Sequence, residues 1–146
     1  MTKPLPIPDR LTQPYWEAAR RRELRIQRCK ACGRFQHPPG PVCRQCYGDQ
    51  LEFDLVQGRG RIYSYTVTYH NFVPGFEENV PLPIVLVELD EHDGVRLMAN
   101  LVARDGEDHV ELGAIAVGAP VEVAFQEVAD GITLPQFRLV EEGKDA

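Results

Sequence analysis

After residue 50, apolar and polar positions alternate in short runs, a period that is typical of β-strands with one buried face. We predict strands at 51–56, 61–70, 83–90, 95–103, 121–128 and 132–140. The continuously apolar run at 84–87 indicates a central strand. Pro135 predicts an edge position for the last strand, because proline has no N–H to donate to a neighbour.

One of these strands, 61–70, has a regular pattern of tyrosines. Tyr63, Tyr65, Val67 and Tyr69 are expected on one face, with Ile62, Ser64, Thr66 and Thr68 on the other. Gly58 and Gly60 predict a bend or bulge just before it. The connections between the strands are too short for parallel crossovers. A small Greek-key barrel of the OB type fits the number and length of the strands, and a β-sandwich is the alternative.

The first 50 residues follow a different pattern. Residues 1–11 form a proline-rich arm, and a helix is predicted from Gln13 to about Glu23, with Pro14 in its first turn. Its apolar content is small, so we expect the helix to lie either on the domain surface or against a partner protein. A short strand is predicted at 24–28, and 35–37 returns along it before a run of prolines forces a loop.

The four cysteines of the chain form two C-x₂-C pairs, Cys29 with Cys32 and Cys43 with Cys46, separated by ten residues. Two intervening residues let both sulfurs of a tight turn reach one ion at about 2.3 Å, and two such turns complete a tetrahedron. We therefore predict one structural Zn²⁺ per chain, with no coordination position left for water. A positive φ at Gly33 would turn backbone N–H groups towards the sulfurs. Rubredoxin-type iron and a redox-active dithiol remain alternatives.

Charge divides the chain into two unlike halves. Residues 1–61 carry 12 Lys/Arg and 6 Asp/Glu, a net charge of about +6, whereas residues 62–146 carry 4 and 16, a net charge of about −12. The basic half predicts an anionic ligand or an acidic partner surface at that end, unless surface charges have segregated by chance.

No membrane-spanning segment is expected, because no apolar run approaches 18 residues. The N-terminus has three prolines and no apolar segment of the kind found in signal peptides. We therefore expect a cytoplasmic location, where cysteines stay reduced and a cysteine cluster binds metal more often than it forms disulfides.

No arrangement of residues predicts catalysis. There is no spare cysteine, no G-x-S-x-G motif and no phosphate-binding loop. The four histidines lie outside any metal-binding or nucleophile motif: His37, His70, His92 and His109. A loop after the tyrosine strand carries Phe72, Val73 and Phe76. These side chains either fold back over the mouth of the barrel or face a partner protein, and both remain open.

The order of helix, four-cysteine ribbon and barrel resembles a known family, the zinc-ribbon/OB-fold proteins associated with acyl-CoA metabolism (domain of unknown function thirty-five). The resemblance covers about residues 10–140. It rests on the two C-x₂-C pairs and on the stretch Gly58-Arg59-Gly60-Arg61-Ile62-Tyr63-Ser64-Tyr65-Thr66. It implies a mainly β protein: an arm and helix (1–23), a rubredoxin-like zinc ribbon (24–52) and an OB-fold five-stranded β-barrel (53–142).

The resemblance also implies a function. Members of this family are mostly not enzymes by themselves; they accompany thiolase-like enzymes or hotdog-fold enoyl-CoA hydratases, stabilise them and help to hold the CoA thioester. It therefore implies a non-catalytic accessory subunit of a thiolase-like aldolase, thiolase or hydratase, for example in steroid side-chain or other lipid degradation. The partner would require this chain for its activity.

Coenzyme A carries a diphosphate and a 3′-phosphate, and the basic half of the chain is the natural place for them. Five arginines are the candidates, because guanidinium groups pair well with phosphate: Arg20, Arg21, Arg25, Arg34 and Arg44. The alternative is that these arginines contact acidic residues of the partner protein.

Binding of single-stranded nucleic acid is the alternative function, because zinc ribbons and OB-folds both occur in such proteins. Tyr63, Tyr65 and Tyr69 supply rings on which bases could stack. The barrel half, however, carries a net charge of about −12, which opposes the binding of a polyanion. We therefore expect no nucleic-acid partner.

Overall fold

The computed structural model describes residues 3–103 and 110–140. Within these ranges the chain forms one α-helix, one 3₁₀ turn (Leu112–Ala114) and eight strands. The elements are α1 (Gln13–Arg20), β1 (Arg25–Cys29), β2 (Phe35–Gln36), β3 (Leu51–Leu55), β4 (Arg59–Thr68), β5 (Leu82–Leu89), β6 (Arg96–Asn100), β7 (Pro120–Ala129) and β8 (Ile132–Leu139). Every predicted strand is present, with its ends displaced by at most three residues. No helix in the described ranges is long and apolar enough to cross a bilayer.

Helix α1 ends before Glu23, where it was predicted to end. Arg22 adopts a left-handed conformation (φ 61°), and the N–H groups of Arg22 and Glu23 donate to the carbonyls of Ala19 and Ala18, each at 2.9 Å. This arrangement satisfies carbonyls of the last turn, which otherwise lack partners. Ala18 and Ala19 are fully buried, and the helix packs on β8 and β1. The helix therefore lies on its own domain.

The cysteine ribbon is built on a three-stranded antiparallel sheet with the order β2-β1-β3. Leu24 and Ile26 are buried in the same apolar cluster as Val85 and Val87 of the barrel. The predicted domain boundary between residues 52 and 53 lies inside β3, which pairs with β1 along its whole length. The ribbon and the barrel therefore share one core.

The other five strands form one sheet with the order β6-β5-β4-β7-β8, in which all pairs are antiparallel. The sheet closes where Leu101, just after β6, forms a parallel bridge with Phe137 of β8, and the Val102 N–H donates to the Phe137 carbonyl at 2.8 Å. A single closed sheet of five strands with this connectivity is an OB-fold barrel, which confirms that prediction over the sandwich. Pro135 lies on β8, the last strand in the order.

Gly60 allows three strands of this barrel to pack closely. It lies in β4 between Leu89 of β5 and Val121 of β7. A Cβ atom at this position would overlap the backbone carbonyl oxygen of Glu88. The close approach of β5 to β4 at this glycine therefore leaves no space for a side chain.

The bulge itself comes later than predicted, because the register of β4 against β5 shifts between Ile62 and Ser64. This shift interrupts the regular alternation predicted for the strand, although Tyr63 and Tyr65 are both exposed, at 47 % and 42 %. Tyr65 is paired with the fully buried Val85 of β5. Tyr63 instead packs under the Arg96 guanidinium, whose Cζ is 3.8 Å from the ring centroid.

Candidate metal centre

The fold brings the four cysteine sulfurs into one cluster, with all four atoms within 4.8 Å of one another. The Sγ atoms of Cys29 and Cys46 are 3.6 Å apart, and so are those of Cys32 and Cys43. Four thiolates placed tetrahedrally at about 2.3 Å from one ion would be about 3.8 Å apart. The cluster therefore has the size that a four-coordinate zinc or iron ion requires.

Each pair of cysteines lies on a tight turn that ends with a residue in the left-handed region. In the first turn this residue is Gly33 (φ 79°), as predicted. In the second turn it is Tyr47 (φ 62°), and the following Gly48 approaches the cluster closely, since a Cβ atom there would lie 3.4 Å from the sulfur of Cys46. One cysteine of each pair is buried, Cys29 and Cys43, and the other is exposed.

The electrostatics of the cluster favour a bound cation. The backbone N–H of Cys46, helped by that of Gln45, lowers the pKa of the Cys43 thiol to about 6. The Gly48 N–H favours the Cys46 thiolate in the same way, but hydrogen bonds with the other three thiols raise the pKa of Cys46 to about 11. Ionisation of four adjacent thiols would bring four negative charges together, and a divalent ion would supply the missing positive charge.

Two buried glutamines beside this cluster, Gln27 and Gln36, were not predicted as site residues. They are 3 % and 7 % exposed and hydrogen-bond each other and the loop that leads to Cys43. The signal available in the sequence was the loop Pro38-Pro39-Gly40-Pro41, where three prolines have no N–H to donate. Such a loop cannot pair as a strand, so other groups must hold it in place.

Arg21 and Arg25, two of the five predicted phosphate ligands, share one carboxylate. Their Nε atoms lie 3.2 and 3.1 Å from Oε1 of Glu23. The hydrogen bond from Arg25 lowers the pKa of Glu23, and the pair with Arg21 adds to this effect. Part of the positive charge of these two arginines is therefore already balanced within the chain.

The other three candidate arginines lie apart from that pair. Arg44 donates to the Pro38 carbonyl at 2.7 Å, within the ribbon. The guanidinium group of Arg34 lies near Gly94, at the turn between β5 and β6, with Nη2 4.0 Å from the position that a Cβ atom would take there. Arg20 lines a groove beside Trp16. No carboxylate in the described part of the chain lies within ion-pairing distance of Arg20 or Arg34. The role of the five arginines in binding phosphate or a partner remains a prediction.

The loop between β4 and β5 carries the three apolar residues that were expected either to fold back over the barrel or to face a partner, and their exposure differs. Phe72 is 92 % exposed and Val73 is half exposed. Phe76 folds back instead, with the Lys3 ammonium 5.1 Å from its ring centroid, so it rests against the N-terminal arm. Asn71 fixes the loop by donating to the carbonyls of Phe76 and Asn79. The partner-facing role of Phe72 and Val73 remains a prediction.

The described histidines pack against aromatic rings. The ring centroids of His37 and Tyr15 are 5.3 Å apart, and those of His92 and Phe35 are 4.3 Å apart. His70 stacks on Phe72. Burial, helped by the charge of Arg44, lowers the pKa of His37 to about 4. None of these three histidines hydrogen-bonds a nucleophile or a carboxylate, and His109 lies outside the residues that the structure describes.

Comparison with known families gives two adjacent matches. Residues 16–52 match the model described as the rubredoxin-like zinc ribbon domain of ChsH2, and residues 55–126 match its C-terminal OB-fold domain. A chain in the solved structure titled "Ltp2-ChsH2(DUF35) aldolase" superposes with a TM-score of 0.78 at 38 % sequence identity, over 92 % of this chain and 98 % of that one.

Two curated relatives are much longer than this chain. A probable enoyl-CoA hydratase alpha subunit from Thermomonospora curvata is 40 % identical over 138 residues, which are 93 % of this chain and 40 % of the relative. A 3-oxo-4,17-pregnadiene-20-carboxyl-CoA hydratase alpha subunit from Mycobacterium tuberculosis is 34 % identical, over 86 % of this chain and 37 % of the relative. The chain thus spans about two fifths of the length of these relatives.

Proposed function

We propose that this chain, which belongs to the DUF35 family of zinc-ribbon/OB-fold proteins, acts as a non-catalytic accessory component of an acyl-CoA-processing enzyme. One observation carries the proposal: the chain matches, over almost its full length and at 38 % identity, a chain in the structure titled as an aldolase with a DUF35 component.

The partner we propose is a thiolase-like aldolase or thiolase, or a hotdog-fold hydratase. The names of the relatives support acyl-CoA chemistry, since one is an aldolase and two are alpha subunits of CoA-ester hydratases. One of these hydratases is named for a pregnadiene-carboxyl-CoA, which supports steroid side-chain degradation as one setting. In every case the accessory chain would stabilise the partner and help to hold the CoA thioester.

We further propose that Cys29, Cys32, Cys43 and Cys46 bind one structural zinc ion. The spacing of the four sulfurs and the match to a zinc ribbon domain support this assignment. A zinc ion bound there would cross-link the two turns and leave no open coordination position, so it would do no chemistry on a substrate. The division into arm and helix (1–23), zinc ribbon (24–52) and barrel (53–142) is proposed on the same basis.

Two surfaces are the candidates for contact with the partner or with CoA. The first consists of two separate basic positions, Arg20 and Arg34, whose guanidinium groups have no carboxylate of the described residues within ion-pairing distance. The second is the exposed tip of the β4–β5 loop, with Phe72 and Val73. A phosphate or an acidic surface would bind the first, whereas an apolar surface would bind the second.

Co-expression tests the proposal directly. This chain would be produced with the thiolase-like and hydratase proteins encoded beside it, and complex formation measured by copurification and size-exclusion chromatography. We expect a stable complex with one of them, and enzyme activity that falls when this chain is omitted. Failure to associate with every such candidate would refute the accessory role.

Charge reversal tests the basic positions within that complex. We expect Arg20→Glu or Arg34→Glu to weaken the complex or the binding of acyl-CoA. The control is Arg10→Glu, which changes an exposed arginine of the arm that lies outside the candidate set. An equal effect of all three variants would indicate a general effect of net charge.

A further inference from the structure

The second cysteine pair follows a loop whose backbone is not paired with any strand of the ribbon sheet. Residues 38–42 include three prolines, which have no N–H, and the loop belongs to no strand. It nevertheless ends at Cys43, a buried cysteine that is 1 % exposed. The backbone of Cys43 bonds to Gly48 and Tyr47 within its own turn, so the position of that turn relative to the sheet depends on contacts made by side chains.

Gln27, on β1, takes the place of a missing strand partner for this loop. Its Oε1 accepts a hydrogen bond from the Gly40 N–H at 2.9 Å, and its Nε2 donates to the Gly40 carbonyl at 2.9 Å. One side-chain amide thus satisfies both backbone groups of Gly40, as the backbone of a neighbouring strand would. This pairing fixes the middle of the loop against the first hairpin of the ribbon.

Gln36, on β2, extends the same network to the cysteine turn. Its Nε2 donates to Oε1 of Gln27 at 2.7 Å and to the Val42 carbonyl at 3.1 Å. Its Oε1 accepts from the Arg44 N–H at 2.9 Å. Val42 and Arg44 flank Cys43, so Gln36 holds the backbone on both sides of that ligand.

The two amides form a satisfied network in a buried setting. Both N–H groups of the Gln36 amide are used, and Oε1 of Gln27 accepts two hydrogen bonds. Buried networks of this kind enforce one arrangement, because any other arrangement leaves polar groups without partners. None of these bonds involves a sulfur atom, so the network does not require a metal to form.

We propose that Gln27 and Gln36 are positioning residues for the metal site, which hold the second cysteine pair opposite the first before zinc binds. The proposal rests on the zinc site proposed above. Groups that orient metal ligands without touching the metal commonly contribute about 10- to 100-fold to metal affinity. The competing account is that zinc itself organises the loop and that the glutamines only fill space.

Substitution by methionine tests the pair, because methionine keeps the unbranched shape of glutamine and removes only the amide. The matched control is Gln50→Met: Gln50 lies in the same ribbon but is exposed, and its side-chain amide donates to the adjacent Asp49. Zinc affinity and zinc release would be measured on the full chain by competition with a chromophoric chelator. We expect a loss of affinity of about 10-fold or more for Gln27→Met and Gln36→Met, and a change below about twofold for the control.

Hydrogen exchange of the zinc-free wild-type chain gives a second readout that needs no variant. The N–H groups of Gly40 and Arg44 donate to the two glutamines, so NMR can follow both bonds individually. We expect these amides to stay protected after zinc is removed, and to lose protection in zinc-free Gln36→Met.

Three results would overturn the proposal, and one of them concerns the zinc site itself. Rapid exchange of both amides in the zinc-free wild type would mean that zinc organises the loop. Affinity within about twofold of wild type in a folded Gln36→Met would show that the amide does not position the ligands. A wild-type chain that binds no zinc would instead refute the proposed metal site, and with it any positioning role.

Discussion

Gly60→Ala is expected to destabilise the barrel strongly, because the added methyl group has no space. The new Cβ would overlap the carbonyl oxygen of Glu88 and would lie 2.8 Å from Cγ1 of Val87. The closest atom belongs to the backbone of β5, a strand paired on both sides, so it cannot move away as a side-chain end could. Overpacking of this kind costs about 1–3 kcal/mol, and we expect the upper half of that range.

A smaller effect opposes this cost. Alanine restricts the unfolded chain more than glycine does, which stabilises the folded protein by about 0.4–1 kcal/mol where the backbone conformation permits a side chain. The expected net loss is therefore about 2 kcal/mol, which corresponds to a fall in Tm of about 4–8 °C for a chain of this size. Urea unfolding followed by circular dichroism would measure the loss.

Gly113→Ala is the matched control. A Cβ atom at Gly113 would have no atom of the described residues within 4 Å, and the φ angle of this residue is not positive. The same substitution there removes the same backbone freedom from the unfolded chain without creating an overlap, so we expect no loss of stability. Equal stabilities of the two variants, within about 0.5 kcal/mol, would refute the packing argument for Gly60.

Three further predictions concern the ribbon and the loop. Cys43→Ser should lose stoichiometric zinc, as measured by elemental analysis; retention of one zinc per chain would contradict the four-ligand assignment. His37 is partly buried and neutral at pH 7, with a pKa of about 4, below its unfolded value of about 6.5. The stabilisation that comes from keeping His37 neutral is therefore complete above pH 6.5 and is lost as the pH falls towards 4. The free energy of unfolding would fall by about 3 kcal/mol in total over this range. His37→Phe should lose less stability than wild type between about pH 7 and pH 5 in urea unfolding, whereas parallel curves would contradict this assignment. Phe72→Ser should leave Tm unchanged, because the ring is 92 % exposed, and should weaken the complex with the partner enzyme in copurification; an unchanged complex would exclude Phe72 from the interface.

The features that the sequence predicted well depend on local signals. Alternation of apolar residues placed each strand within three residues of its observed ends, and the C-x₂-C spacing identified all four sulfurs that the fold brings together. The end of α1 was predicted too late because the helix ends at a left-handed residue that is not glycine, Arg22. Arginine at this position gives no sequence signal for a left-handed conformation.

Other features depend on partners distant in sequence. The bulge near Tyr63 arises from the register of β4 against β5, and no pattern within one strand specifies which residue is extra. Gln27 lies among arginines on a short strand and would ordinarily face solvent. It is buried because the proline-containing loop packs over it, and only the fold brings the two together. The pairing of Arg21 and Arg25 with Glu23 likewise depends on where the helix ends.

The core shared by ribbon and barrel has a thermodynamic consequence for the proposed metal. Leu24 and Ile26 belong to the same buried cluster as Val85 and Val87, so the two parts should unfold in one cooperative transition. A ligand that binds only the folded state raises the free energy of unfolding by about 1.4 kcal/mol for each tenfold excess of its concentration over Kd. Zinc bound at one end of the molecule would therefore stabilise strands at the other end that never touch it. The melting temperature of the barrel would report the concentration of free zinc around the protein.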